Sequence, residues 1–261
     1  MKKEIYPEIN RFLTTLEEPS FRGISKEVLE VYRIGVGKEK FRNDSEQLCW
    51  FDAVYYPLYA PKSKKQRDKD RTQPQTITEE AKVLENDEFE IVKMKVRAIG
   101  AENKHRQKFM PSGSDLKGLF GLTSLSKNDK AIVITEGEFD AMAVYQETGI
   151  PAVSLPNGAN HLPIQFLPFF DKFERIYLWM DADEVGRNAA DKFAQKLGSK
   201  RTLIIDSRLK DPEGPKDAND ALKMGKDFKM IFEQCSRSLG DKNLLAFSDI
   251  REKVLNRILN Y

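Results

Sequence analysis

The chain has 261 residues, 40% of them hydrophobic, enough for one sizeable core and a second smaller one. Two cysteines, Cys49 and Cys235, and two histidines, His105 and His161, exclude a disulfide framework and a zinc ribbon and point to a reducing compartment. No apolar run approaches the roughly 18 residues of a membrane span, and the first residues lack the apolar stretch of a secretory signal.

The pattern over Glu8–Glu17 and again over Ser25–Val31 predicts short helices, and the aromatic run Leu48–Tyr59 predicts a strand. Trp50, Phe51, Tyr55 and Tyr56 could stack on bases, but aromatics in strands are more often core, and no role is assigned to them. Lys62–Glu80 is polar, charged and nearly free of apolar residues, which predicts a loop or insertion. A strand is expected at Phe89–Ile99. The net charge of +2, from 43 Lys and Arg against 41 Asp and Glu, conceals a sorting along the chain. Lys62, Lys64, Lys65, Arg67, Lys69 and Arg71 form one basic run, and Lys93, Lys95, Arg97, Lys104, Arg106 and Lys108 a second.

From Lys130 onward, short apolar runs alternate with segments of helical period, the signature of βαβ units on a parallel sheet. The strands are expected at Ala131–Thr135, Pro151–Leu155, Ile176–Met180 and Arg201–Ile205. One helix carries Phe139, Met142 and Ala143 before Gly149. The next repeats Val185, Ala189, Phe193 and Leu197 before Gly198, and both glycines sit where a helix C-terminus calls for one. A last helical pattern spans Phe247–Leu259. The fold class expected is α/β: a parallel sheet flanked by helices at 126–228, preceded by a smaller α+β subdomain at 1–125 and followed by a helical segment at 229–261.

The strand Ala131–Thr135 runs directly into Glu136-Gly137-Glu138-Phe139-Asp140, and the strand Ile176–Met180 into Asp181-Ala182-Asp183. These acids therefore lie at the carboxyl ends of parallel strands, where open α/β sheets place ligands. Carboxylates so close repel one another unless a divalent cation or a basic group neutralises them. With oxygen donors only, Mg²⁺ or Mn²⁺ is favoured over zinc. Such an ion polarises phosphoryl oxygens and activates an attacking hydroxyl. A third element, Lys216-Asp217-Ala218-Asn219-Asp220, precedes a helix that Asp217 could cap, or Asp217 could join the acidic group. The candidate catalytic residues are Glu136, Asp140, Asp181 and Asp183, and the candidate metal ligands Glu136, Asp181, Asp183 and Asp217.

EGEFD, DAD and KDAND, in this order, resemble the Toprim domain of primases and topoisomerases over roughly Lys130 to Gly225. KGLFGL at Lys117–Leu122 and GIPAVSLPNGANHLP are similar to the primase half of phage-type primase-helicases. LPFFDKFERIYLWMDADEVGRNAADKFAQKLGSKR and the closing SDIREKVLNRIL are similar to animal Twinkle-type mitochondrial primase-helicases. The resemblance weakens before residue 90. It implies a cleft in which basic residues face the acidic cluster, and by position Lys95, Arg97 and Lys108 resemble them. It further implies single-stranded DNA and nucleoside triphosphates as partners, a helicase domain in the full-length chain, ring assembly and a mitochondrial location. His161 and Arg187 fall near the same cleft and are read as loop residues.

Active primases of this family carry a zinc-binding module, for which this chain has no residues, and no G-x-x-x-x-G-K-[ST] phosphate loop is present. The chain thus reads as the front half of a longer protein, ending before its helicase and lacking a presequence. A metal-dependent primase-like nucleotidyl transferase and a non-catalytic DNA-binding and ring-assembly module both stay open. A Toprim nuclease ranks behind them, because it explains none of the resemblance outside the shared acidic residues.

Overall fold

A computed structural model of the chain describes residues 21–62, 89–100, 105–113, 118–160, 162–209 and 211–239. The helix expected at Glu8–Glu17, the polar stretch after Lys62, His161 and the segment Phe247–Leu259 lie outside the described residues. Among the described residues no helix is long and apolar enough to cross a membrane.

Helix α1 (Lys26–Val31) starts at Ser25, whose hydroxyl accepts the Val28 N–H, and buries Val28 and Leu29. Four antiparallel strands follow, β1 (Gly35–Arg42), β2 (Leu48–Pro61), β3 (Phe89–Ala98) and β4 (Gln107–Met110). The short β5 (Leu119–Phe120) leads to the alternating part of the chain: β6 (Ala131–Thr135), α2 (Glu138–Thr148), β7 (Ala152–Ser154), α3 (Leu167–Phe170), β8 (Arg175–Trp179), α4 (Glu184–Leu197) and β9 (Thr202–Ile205). Helices α5 (Ala218–Lys223) and α6 (Phe228–Gln234) and the edge strand β10 (Ser236–Arg237) complete it.

The ten strands among the described residues belong to one mixed sheet of order β10-β9-β8-β6-β7-β5-β2-β3-β4, with β1 paired along the first half of β2. Strands β6 to β9 are parallel, as the βαβ pattern requires. The two-residue β5 runs antiparallel to both β2 and β7 and joins the two kinds of sheet.

Alternation along the strands sorts side chains into separate cores. Val133 and Trp179 pack with α1, α2, α5 and α6 on one face, while Ile132, Ile134, Leu178 and Ile204 pack with Phe170 of α3 and Ala189, Phe193 and Leu197 of α4 on the other. Val54, Tyr56 and Leu58 of β2 extend the first core, and their neighbours Ala53 and Tyr55 join Phe41, Met94 and Val96 in a third. Tyr55 and Tyr56 are thus core, Phe51 is half-buried, and Trp50 is exposed. Helix α2 ends at Gly149 in the left-handed conformation, its N–H on the Tyr145 carbonyl. One expected core position fails: Val185 is 63% exposed, because the buried face of α4 runs through Gly186, Ala189, Ala190, Phe193, Ala194 and Leu197, and Val185 lies off it.

Candidate metal centre

The site lies at the carboxyl ends of β6 and β8. Strand β6 stops at Thr135, and Glu136-Gly137 turns the chain into α2 with Gly137 as its N-cap. A Cβ on Gly137 would sit 2.7 Å from Asp140 Oδ2, so this position must be glycine for the Asp140 carboxylate to fold back under the turn. Strand β8 likewise runs into Asp181-Ala182-Asp183. Asp183 caps α4 by accepting the Gly186 N–H at 2.8 Å, and Gly186 lies so close that a Cβ would meet the Asp181 carbonyl at 2.2 Å. Asp217 caps α5 through the Asp220 N–H at 2.7 Å.

Three carboxylates from three segments converge. One oxygen each from Asp140, Asp181 and Asp217 lie within 4.8 Å of one another. Asp140 is buried and accepts the Asn219 N–H at 2.9 Å. Burial first, and the Asp217 charge second, hold its carboxyl well above the usual carboxylate range. Glu136 stands beside this group: burial and then the Asp181 charge raise it, against backbone hydrogen bonds from Ala159 and Asp181. Lys216 reaches Asp181 Oδ2 at 2.5 Å, and that contact raises its ammonium pKa above the ordinary lysine value. An all-oxygen donor set whose carboxylates crowd one another fits a hard divalent cation, which Asp140, Asp181 and Asp217 would hold with Glu136 and Asp183 adjacent.

The structure places the predicted basic residues on two faces. Strand pairing aligns Tyr56 with Lys95 and Val54 with Arg97, on the face that carries α2. Lys95 is 9% exposed and donates to Glu138 Oε1 at 2.7 Å, so its charge is matched inside the protein. Arg97 is half-buried, makes no ion pair among the described residues, and acts with Arg22 on the buried Tyr56 hydroxyl. Arg22 itself lies over the Phe139 ring at 4.7 Å. Lys108 pairs with Val96 and therefore points to the opposite face, where it meets Glu39 at 3.0 Å and covers Phe41. Lys95 and Arg97 are thus brought to the turn that holds the acidic site, and Lys108 is not.

Several participants were missed in the sequence. Glu138 was visible as the second acid of EGEFD, but its use as the internal partner of Lys95 depends on how α2 crosses β3. Lys216 and Asn219 stood in KDAND, and Asn219 also ties Asp140 to the Arg22 carbonyl through its side chain. Asp206, one residue past β9, gave no motif at all. It binds Arg187 at 2.8 Å, and Arg187, expected in a loop, stands instead in the first turn of α4.

Residues 133–222 match the family model described as Toprim-like. The chain is 37% identical over 133 residues to the DNA helicase/primase of Enterobacteria phage T3, an alignment that spans 48% of this chain and 22% of that protein. It is 29% identical over 122 residues to the Twinkle homolog protein, chloroplastic/mitochondrial, of Arabidopsis thaliana, over 40% of this chain and 17% of that one. In structure it is similar to the primase fragment of the bacteriophage T7 primase-helicase protein, with a TM-score of 0.54, 25% identity, and coverage of 82% of this chain and 71% of that one. Fold and acidic site together define a Toprim protein of primase-like fold, related to phage primase-helicases and Twinkle homologues. More particularly, the chain belongs to one family with the Gene 57 protein of Mycobacterium phage D29, to which it is 30% identical over 123 residues, 47% of this chain and 75% of that protein.

Proposed function

We propose that this chain is the primer-synthesising part of a replicative primase-helicase, binding single-stranded DNA and a divalent metal and joining nucleoside triphosphates into short primers. The observation that carries the reading is the meeting of Asp140, Asp181 and Asp217 within 4.8 Å, beside a turn faced by Arg97 and Arg22. When bound, the cation supplies Lewis acidity toward a phosphoryl oxygen and an attacking hydroxyl. Asp140, Asp181 and Asp217 hold it, Glu136 and Asp183 add negative charge beside it, and Lys216 and Arg97 offer cations to phosphates. Primase domains 28% identical to this chain, which interact with the bacteriophage T7 lagging-strand DNA polymerase in an assembly that contains an RNA/DNA hybrid and dTTP, support a place in replication chemistry. The chain spans about a fifth of the phage T3 relative, so the helicase, the ring and the two-subdomain division are parts of the same proposal. Phage and plant-organelle relatives both occur, and the proposal therefore places the chain at a replication fork without an animal or mitochondrial assignment.

A second reading, a DNA-binding and assembly module, is favoured by Lys216. Its ammonium on Asp181 neutralises part of the acidic group without an ion.

The test is incubation of the chain with single-stranded templates, labelled nucleoside triphosphates and Mg²⁺ or Mn²⁺, beside Asp181→Asn and Arg97→Ala. Short products are expected from the parent and none from Asp181→Asn, whose DNA binding persists, whereas Arg97→Ala weakens binding. Binding without products in any metal would leave the assembly module as the function. Arg97 is the better probe than Lys95, because truncating Lys95 strands the buried Glu138 carboxylate and costs about 3–5 kcal/mol of stability.

A further inference from the structure

The hairpin of β1 and β2 continues beyond Ala53, where pairing with β3 ends, and its two faces differ. One face is core, with Phe41, Ala53 and Tyr55 buried. On the other, strand register places Lys38 opposite Asp52, Lys40 opposite Trp50, and Arg42 opposite Leu48, and all six are exposed. Trp50 is 62% exposed and Leu48 65%, with the Lys40 ammonium 5.0 Å from the indole centroid. Single exposed apolar residues are ordinary, but here an indole lies within a row of three cations. Along β2 the exposed row ends at Asp52, and the same strand face then enters the first core. Residues 54 and 56 of the same β2 face pair with Arg97 and Lys95, and from Trp50 to Tyr56 is six residues, roughly 20 Å of strand.

We propose that this exposed face of the β1–β2 hairpin is a stacking platform for single-stranded DNA, with Trp50 holding an unpaired base and Lys38, Lys40 and Arg42 holding phosphates on the way to the acidic site. The inference rests on the nucleic-acid reading above and deepens it. An indole face takes bases only where they are unpaired, and the flanking cations match a phosphate backbone. The acids on this face are Asp52, beside Lys38, and Glu46, which lies 3.6 Å from Arg42 and draws on that side chain. Lys38 and Lys40 are therefore the principal phosphate contacts. In the free protein Lys40 covers the indole, and an arriving base takes that place while the ammonium moves to the adjoining phosphate.

The experiment is titration of the full chain with oligothymidylate and, separately, with a hairpin duplex, following tryptophan emission. Trp179, the only other tryptophan, is 1% exposed beneath Phe228 and Phe232, so quenching reports on Trp50. The single strand is expected to quench the parent. Trp50→Ala abolishes the change and weakens binding about tenfold, while Trp50→Phe retains most of the affinity. Lys40→Ala weakens binding and lowers the slope of log affinity against log salt by about 1. Metal-induced thermal stabilisation stays at the parent value in Trp50→Ala, separating this face from the acidic site. Binding lost in Arg97→Ala but unchanged in Trp50→Ala would overturn the platform and leave the nucleic-acid reading standing. No binding by the parent overturns both. Unchanged DNA binding with reduced self-association of Trp50→Ala in sedimentation overturns it in favour of a protein partner.

Discussion

Asp140 shows how one residue couples the site to stability. Its carboxyl is buried against Asp217 and is held above the ordinary carboxylate range, so the folded chain keeps a proton that the unfolded chain has released. The stabilisation from that proton is complete below the unfolded carboxylate pKa of about 3.9 and is lost as pH rises toward the folded value. At neutral pH without metal, Asp140 is therefore a burden. Asp140→Asn keeps an oxygen for the Asn219 N–H and removes the charge. With a chelator present it is expected to melt about 2–4 °C above the parent at pH 8, the gap closing toward pH 4, and to lose the parent's stabilisation by Mg²⁺. Equal melting curves at both pH values would show that this carboxyl carries no strain. The acids themselves were legible in the sequence, because each follows a strand-like run directly. The fate of Lys95 was not, since its burial against Glu138 needs the pairing of β3 with β2 and the crossing of α2 above them.

At the scale of elements, the strands from β6 to β9 fall within one residue of their expected ends, because a short apolar run closed by an acid, Gly or Pro has few alternatives. The limit of periodicity is visible in α4. Its repeat of Val185, Ala189, Phe193 and Leu197 marks a stripe but not its width, and Val185 lies off the face that Gly186, Ala189, Ala190, Phe193 and Leu197 bury. The first turn of α4 rests on the end of β8 with no room for a Cβ against the Asp181 carbonyl, so helix and acidic strand end are one mechanical unit. Gly186→Ala is expected to lift that turn and displace both Asp181 and Asp183, costing about 1–3 kcal/mol of stability by overpacking. The decisive measurement is metal-induced thermal stabilisation, which should fall more than it does in Asp183→Ala, a variant that loses the helix cap but not the close approach. A Gly186→Ala variant with the parent's metal response would show that the turn moves without carrying the acids.

For the whole molecule, the change in pattern at Lys130 suggests two units, and the sequence contains nothing that says how they are joined. The joint is β5, two residues long, which hydrogen-bonds β2 on one side and β7 on the other and makes the sheet continuous. Such a strand has too little pattern to be read from periodicity. The larger core crosses the same joint: Leu29, Tyr32, Ile34, Tyr56 and Phe120 pack with Phe139, Met142, Val144 and Trp179. Tyr32 is fully buried, and its hydroxyl lies 3.1 Å from the Ala141 carbonyl and 2.9 Å from that of Ala152, so a side chain from the first part satisfies backbone of the second. Neither part can expose that core without leaving apolar surface and polar groups on the other, which makes partial unfolding costly. The chain is therefore expected to unfold in one transition in urea, with far-ultraviolet circular dichroism and the emission of buried Trp179 following the same curve in a Trp50→Phe background. Tyr32→Phe should lower the unfolding free energy by about 1 kcal/mol, moving that single midpoint down and leaving the two probes superimposed. Two separated transitions in the parent would mean that the parts are thermodynamically independent despite sharing a sheet. Arg97 and Lys95 would then be free to move away from the acidic cluster, because they belong to one part and the carboxylates to the other.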